Sequence, residues 1–305
     1  VEEADPKLDY HLEDAEILIS SLNEEDIRDV PYADATVATL WVTAYAVSKF
    51  QNTRRKFYMI QDFEPIFYPA GTLSALSDAT YRMGFYGLCN TFTLSNIYET
   101  EYGGKAHGFD PAVDTALFRP PEGKRHKDDT MTVFLYGRPG HWRNCYELAI
   151  ATLRRLKQRM KKKVRVVSAG SWVPSGDSES AYLIDNLGLL DYRETAALYK
   201  TCDVGLTFSM SKHPSYLPLE LMASGALVVS NVNPYGSWLL KDGENCILAE
   251  PTAESLCAAL EKALTDDELR AKLPANAVAD IQQNRSDWPT KIDGVYAYMC
   301  NPEGL

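Results

Sequence analysis

Short apolar runs alternate along this chain with stretches of helical spacing. That alternation predicts an α/β protein with parallel sheets. TVATLW (36–41), KFYMIQ (56–61), GLCNTFTLS (87–95) and KAHGFD (105–110) read as strands. A helix follows the first of these through Phe50, with Thr43 as its cap, and LSALSDATYRMGF (73–85) has helical spacing. Ser95 is placed to cap a helix over 96–102. TALFRPPEGKRHKDDT (115–130) breaks the pattern with Pro, Gly and charge, and reads as an inter-domain linker. The alternation then restarts. TVFLYG (132–137), VRVVSAG (164–170), DVGLTFS (203–209) and ALVVS (226–230) read as strands. RNCYELAIATLRRLKQRMKK (143–162) is an amphipathic helix with Leu148, Leu153 and Leu156 on its apolar face. Asp191 caps the next helix, and the chain is helical from TAESLCAALEKAL (252–264) onward. Two domains result, 1–119 and 120–305, with the last helix placed to pack back on the first domain. The first domain shows only about four strands. Either DAEILISSLN (14–23) supplies an unusual leading portion, or that portion is missing. The chain does not begin with Met, which reads as a trimmed or missing start.

Composition narrows the function classes. The 305 residues carry a formal net charge of −11. An acidic balance opposes binding to a phosphate backbone, so nucleic acid is excluded as a partner. The six cysteines form no C-x-x-C pair and mostly sit in apolar runs, as reduced thiols of a cytosolic protein do. No apolar run approaches the roughly 20 residues of a membrane helix. The acidic start, VEEADPKLDYHLED, does not read as a signal peptide. KQRMKKK (157–163) reads as a solvated helix C-terminus, where the dipole favours cations. Part of it remains a candidate for peripheral contact with an anionic membrane.

Two stretches carry candidate chemistry. SKHPSYLPLELMASG (211–225) follows a strand, where open parallel sheets bind ligands. A helix starting near Pro218 would offer free N–H groups, at Ser215 and Tyr216, to an anion. Glu220, in its first turn, would accept hydrogen bonds from a sugar diol. YGRPGHWRN (136–144) places Arg138 and Arg143 five apart across a turn, suited to gripping a diphosphate. In the first domain, Asp62 and Glu64 with Phe67 and Tyr68 form an acid-plus-aromatic loop suited to a sugar. Thr43 and Tyr45 are weaker candidates after the first strand.

In order, these stretches resemble one family. HGFDPAVDTALFRP (107–120), GRPGHWRN (137–144), GLLDYRETAALYKTCDVGLTFS (188–209) and PLELMASGALVVSN with GENCILAEPTAESLCAAL (218–260) are similar to motifs of retaining nucleotide-sugar glycosyltransferases of the GT-B fold. HPSYLPLE (213–220) and QDFEPIFYPAG (61–71) resemble, more narrowly, bacterial surface-glycan rhamnosyltransferases that use dTDP-rhamnose. The resemblance implies two Rossmann-like domains with parallel sheets facing across a cleft. It implies a nucleotide-sugar donor, a glycan or lipid-linked glycan acceptor and no required cofactor or metal. It implies that Glu220 binds the ribose and that Arg138 and Arg143, beside Gly137, hold the diphosphate. Gly188 and Leu189 would line the base through their backbone. The family's other glutamate falls on Lys212, so donor recognition differs here, and the subgroup pattern points to His213 and Ser215. Retention would need no side-chain nucleophile. An inverting course would need a base, with Asp62 or His107 as first suspects. The alternatives are a degenerate binding module of the same fold and a nucleotide-sugar epimerase.

Overall fold

The structure is a computed structural model and describes residues 30–123, 125, 130–160, 164–170 and 182–304. The stretch 14–23, read as a candidate leading portion, lies outside the described residues, as does the end of the basic run (161–163).

Strands β1 (Ala33–Ala38), β2 (Thr53–Ile60), β3 (Tyr86–Cys89) and β4 (Lys105–Gly108) form a parallel sheet in that order. Helices α1 (Trp41–Lys49), α2 (Thr72–Thr80) and α3 (Phe92–Tyr102) connect them. The second sheet contains β5 (Met131–Tyr136), β6 (Val164–Ala169), β7 (Asp185–Asn186), β8 (Val204–Leu206), β9 (Leu227–Asn231) and β10 (Ile247–Ala249). Its order is β10-β9-β8-β5-β6-β7, and every pair is parallel. The strand order reverses between β5 and β8, and ligands of open α/β sheets settle at the carboxyl edge of such a switch point.

The second domain's helices are α4 (Tyr146–Arg159), α5 (Tyr192–Tyr199), α6 (Tyr216–Ala223), α7 (Ala253–Thr265) and α8 (Asp267–Asn284). Alternate residues of each strand face opposite sides of the sheet. Val133 and Leu135 of β5 therefore pack with Leu153 and Leu156 of α4 and Leu260 of α7. Phe134, between them, packs with Tyr199 of α5, Leu221 of α6 and Ile281 of α8. Helix α9 (Trp288–Cys300) returns to the first sheet, where Val295 and Tyr298 bury against Phe57 and Leu88.

Several boundaries move, each for a local reason. β3 stops at Cys89, because the Thr91 hydroxyl accepts from Leu94 N (3.2 Å) and starts α3. Ser95 lies inside that helix, donating to the Phe92 carbonyl, and is not its cap. Thr43 is inside α1, its hydroxyl accepting from the Thr39 and Leu40 N–H groups (3.0 and 3.1 Å). Asp191 does cap α5, in a reciprocal pair with Glu194. The chain enters the second domain before residue 119. Val113 and Phe118 are already in that domain's core, so 115–119 is packed structure. Arg125, in the same stretch, donates to the carbonyls of Lys200 (3.3 Å), Cys202 (2.6 Å), Ser224 (3.0 Å) and Gly225. Cys89, Cys202, Cys246 and Cys257 are buried free thiols, whereas Cys300 is exposed.

Candidate functional site

The carboxyl edges of the two sheets face each other across a cleft of about 630 Å³. From the first domain it is lined by Asp62, Glu64 and Phe67 after β2 and by Asn90 after β3. The second domain supplies Arg138 and Arg143 after β5, the loop after β8 and Glu220 of α6.

The loop after β8 is moulded by two asparagines. Asn231 accepts from Ser209 N (2.8 Å) and donates to the Ser209 carbonyl (3.0 Å). Asn233 donates to the Ser209 carbonyl and to the Ser211 carbonyl (2.7 and 2.8 Å). With its backbone so held, the loop delivers Ser211, His213 and Ser215 to fixed places. Ser215 is the N-cap of α6 at φ 70°, and its hydroxyl accepts from Leu217 N. That cap starts the helix at Tyr216, two residues before Pro218. Glu220 consequently sits in the second turn, not the first. The Ser215 N–H donates to His213 Nδ1 (2.9 Å) and is not free for an anion.

Glu220 is partly exposed by area, yet it is recessed at the cleft floor with protein around most of it. Burial pushes its carboxyl up to about 8, and no hydrogen bond or ion pair reaches it among the described residues. The folded state keeps a proton that the unfolded chain releases above about pH 4.5, so the group subtracts stability progressively up to about pH 8. Glu220→Gln is expected to stabilise the protein by about 1–3 kcal/mol at alkaline pH and to make no difference at acid pH. Thermal unfolding of both proteins across that range checks it.

The two arginines are not equivalent. Arg138 donates to Tyr136 Oη (3.4 Å), and its Nη2 lies 3.0 Å from His141 Nε2. Arg143 crosses the cleft to Asp62 (3.1 Å) and lies 3.9 Å from the centroid of the Phe67 ring. Asp62 also accepts from Phe63 N (2.7 Å) and from the Ser211 hydroxyl. With these donors on its carboxylate, Asp62 is engaged as an inter-domain anchor in this arrangement, not poised as a base. His107, the other suspected base, stacks on Tyr298 (5.5 Å between centroids) under α9 and does not line the cleft.

His213 is buried, and burial holds its imidazole below the ordinary value, so the ring is neutral. Since Nδ1 accepts from Ser215, the proton sits on Nε2. Nε2–H is turned toward the Asn90 backbone and has no partner of good geometry among the described residues. Asn90 Oδ1 is likewise buried without a partner, while its Nδ2 donates to Tyr216 Oη (2.8 Å).

Other expected site residues go elsewhere. Lys212 does not line the cleft; its ammonium lies 4.1 Å from the Phe63 ring centroid and 3.5 Å from Glu101. Tyr68 accepts from Trp41 Nε1 (3.0 Å) and packs on that indole, outside the cleft. Glu64 borders the cleft but is committed: it accepts from Trp41 N (2.6 Å) at the start of α1, and burial raises its carboxyl to about 7. Tyr45 donates to the Leu76 carbonyl at the surface. Gly137 and Gly188 do not themselves line the cleft but stand next to residues that do, Arg138 and Leu189. A Cβ on Gly137 would meet Ser168 Oγ at 2.2 Å, and the Gly188 carbonyl accepts from Gly170 N (2.9 Å). Leu189 lines the cleft.

Asn90 and Ser211 are not singled out by the sequence: Asn90 falls inside the stretch read as a strand but directly follows β3, and Ser211 lies in the loop five residues past β8. Asn231 and Asn233 act through the loop, and no local pattern marks them.

Residues 9–89 match the WsaF N-terminal domain, and residues 131–261 match the WsaF C-terminal domain. The O-antigen biosynthesis protein RfbC of Myxococcus xanthus is 43% identical over 278 residues, which is 91% of this chain and 21% of that protein. The chain thus spans about a fifth of the length of that relative. Among solved structures, Anabaena HepE in complex with UDP and glucose superposes with a TM-score of 0.71 at 17% identity, covering 88% of this chain and 78% of HepE. Sucrose-phosphate synthase from Thermosynechococcus elongatus gives 0.70 at 13% identity, covering 88% and 74%. At such identities the likeness shows the fold, which is GT-B.

Proposed function

The chain belongs to the WsaF family and has the GT-B fold, and on that premise we propose that it moves a sugar from a nucleoside diphosphate donor to a glycan acceptor in surface-glycan synthesis. The observation that carries this reading is the arrangement at the switch point. Arg138 and Arg143 stand on one wall of the cleft, and the recessed, partnerless Glu220 stands at its floor. The RfbC relative and the UDP-bound HepE neighbour support the same class of chemistry.

In this reading Glu220 accepts from the ribose, giving up its proton as it does so. The arginines face the diphosphate as negative charge develops on it, a preorganised electrostatic stabilisation that is commonly the largest catalytic contribution. Two guanidiniums at that place supply the charge a metal would otherwise bring, so no metal or cofactor is required. Departure of the diphosphate and attack of the acceptor hydroxyl on one face of the sugar would retain configuration. His213 Nε2–H, turned toward the Asn90 backbone without good hydrogen-bond geometry, and Asn90 Oδ1, a buried acceptor without a partner among the described residues, suit sugar hydroxyls between the domains. The donor sugar we assign is rhamnose, carried on dTDP, on the strength of HPSYLPLE (213–220) and QDFEPIFYPAG (61–71). The acceptor is a glycan or lipid-linked glycan met at the cytoplasmic face of a membrane. No helix among the described residues is long and apolar enough to cross one.

Calorimetric titration with dTDP, UDP, GDP and ADP tests the donor site. One of them is expected to bind, and Glu220→Ala to weaken it by about 10- to 150-fold, as loss of a charge-assisted hydrogen bond does. Absence of binding by all four would remove the transferase reading.

A further inference from the structure

A second recess lies at the far end of the first domain. It has a volume of about 370 Å³, and its walls include Ser48, Arg54, Arg55, Lys56 and Tyr86. The three cations occupy the start of β2, whereas Asp62 follows the end of that strand into the cleft. Lys56 and Asp62 stand six positions apart along a largely extended chain, a distance of about 20 Å.

Among the described residues, the charges in this recess are unopposed. Arg54 is exposed and has no hydrogen-bond or ion-pair partner among the described residues. Among the described residues, Arg55 reaches only the Met299 carbonyl, at 3.5 Å. The Lys56 ammonium donates to the Ser48 carbonyl (2.8 Å), and two of its protons remain. Glu303, which accepts from Tyr86 Oη on one wall, is itself paired with Lys105. Among the described residues, no carboxylate pairs with any of these three cations. Like charges held around one hollow repel one another, and an anion placed there relieves the repulsion. Guanidinium forks fit phosphate oxygens in bidentate fashion, and a lysine adds a point charge.

We infer that this recess binds a phosphate group, carried either by a soluble compound or by a lipid headgroup at a membrane surface. It is separate from the cleft and does not depend on the reading of the cleft. Arg54→Glu is the informative variant, since an exposed, partnerless side chain can be reversed in charge without disturbing the fold. Two titrations are made on the full chain, on Arg54→Glu and on Arg138→Gln/Arg143→Gln, in which the cleft is disabled. One uses inorganic phosphate. The other uses vesicles of phosphatidylcholine with and without phosphatidylglycerol.

Arg54→Glu is expected to lower phosphate affinity or the anionic-vesicle-bound fraction at least fivefold, while the cleft variant leaves the affected signal in place. A loss seen with phosphate alone assigns the site to a soluble phosphate compound. A loss confined to phosphatidylglycerol vesicles assigns it to a lipid headgroup. The inference is overturned if Arg54→Glu matches the unmodified chain in both titrations, or if only the cleft variant changes them.

Discussion

Arg143→Ala is expected to slow glycosyl transfer by about 10²- to 10³-fold, the usual effect of removing one preorganised charge from a developing anion. The fold should survive the change. Arg143 is about a third exposed, its guanidinium donates to the Asp62 carboxylate across the cleft, and partly exposed pairs of that kind contribute about 0–1 kcal/mol. Its stacking on Phe67 orients the guanidinium without burying it. What is lost is a positive charge on the wall beside Arg138. Asp62→Asn separates the two roles of this residue. That variant abolishes the ion pair but leaves the guanidinium in place, so turnover is expected to fall less than about 10-fold, and nucleotide affinity to hold or rise because Arg143 has no competing anion. Turnover and nucleotide affinity are measured for both variants with the donor that the titration selects. Equal losses in the two would mean that the anchoring of the domains, not the charge, is what the reaction needs.

The parallel α/β architecture was legible because apolar runs alternate with helical spacing, and β1 to β6 all fall on or beside stretches read as strands. The helix starts that moved share one cause. A side chain that can bond the backbone shifts an element's start by two or more residues, and sequence periodicity is blind to which hydroxyl does so. Thr91 displaced Ser95 as the cap of α3, and Ser215 moved the start of α6 so that Glu220 left the first turn. The cleft residues were legible where they lie just past a strand, as Asp62 and Arg138 do, whereas Glu220 lines the cleft from the second turn of α6. Lys212 and Tyr68 adjoin such positions but point into packing, because side-chain direction depends on partners distant in sequence, Glu101 for one and Trp41 for the other. The stretch 115–130 looked like a linker by composition. Its Phe118 and Arg125 take buried roles that only the assembled second domain supplies.

Arg125 carries the largest expected effect on stability. The ends of α5 and α6 come together beneath it, and both helix termini present carbonyls with no intrahelical donor. Its guanidinium donates to Lys200 and Cys202 beyond α5 and to Ser224 and Gly225 beyond α6. A positive charge at two convergent helix C-termini is also favoured by both dipoles. Desolvation lowers the affinity of this group for its proton, but an arginine remains charged, so the four acceptors are what hold it there. The fit is close. Gly225 has φ 75°, and a Cβ at that position would come within 2.8 Å of Arg125 Nη2. Arg125→Ala leaves these carbonyls unsatisfied and is expected to destabilise the protein by about 3–5 kcal/mol. For a protein of this size that is a fall in Tm of roughly 10 °C, read by calorimetry. Arg125→Lys keeps the charge but cannot span both helix ends, and is expected to recover less than half of the loss. The same variants report on the cleft, because α6 carries Glu220. If α6 is held in place by Arg125, nucleotide affinity falls in Arg125→Ala even well below its lowered Tm. If affinity is unchanged there, the α6 register is set by Ser215 and the Asn231–Asn233 loop alone.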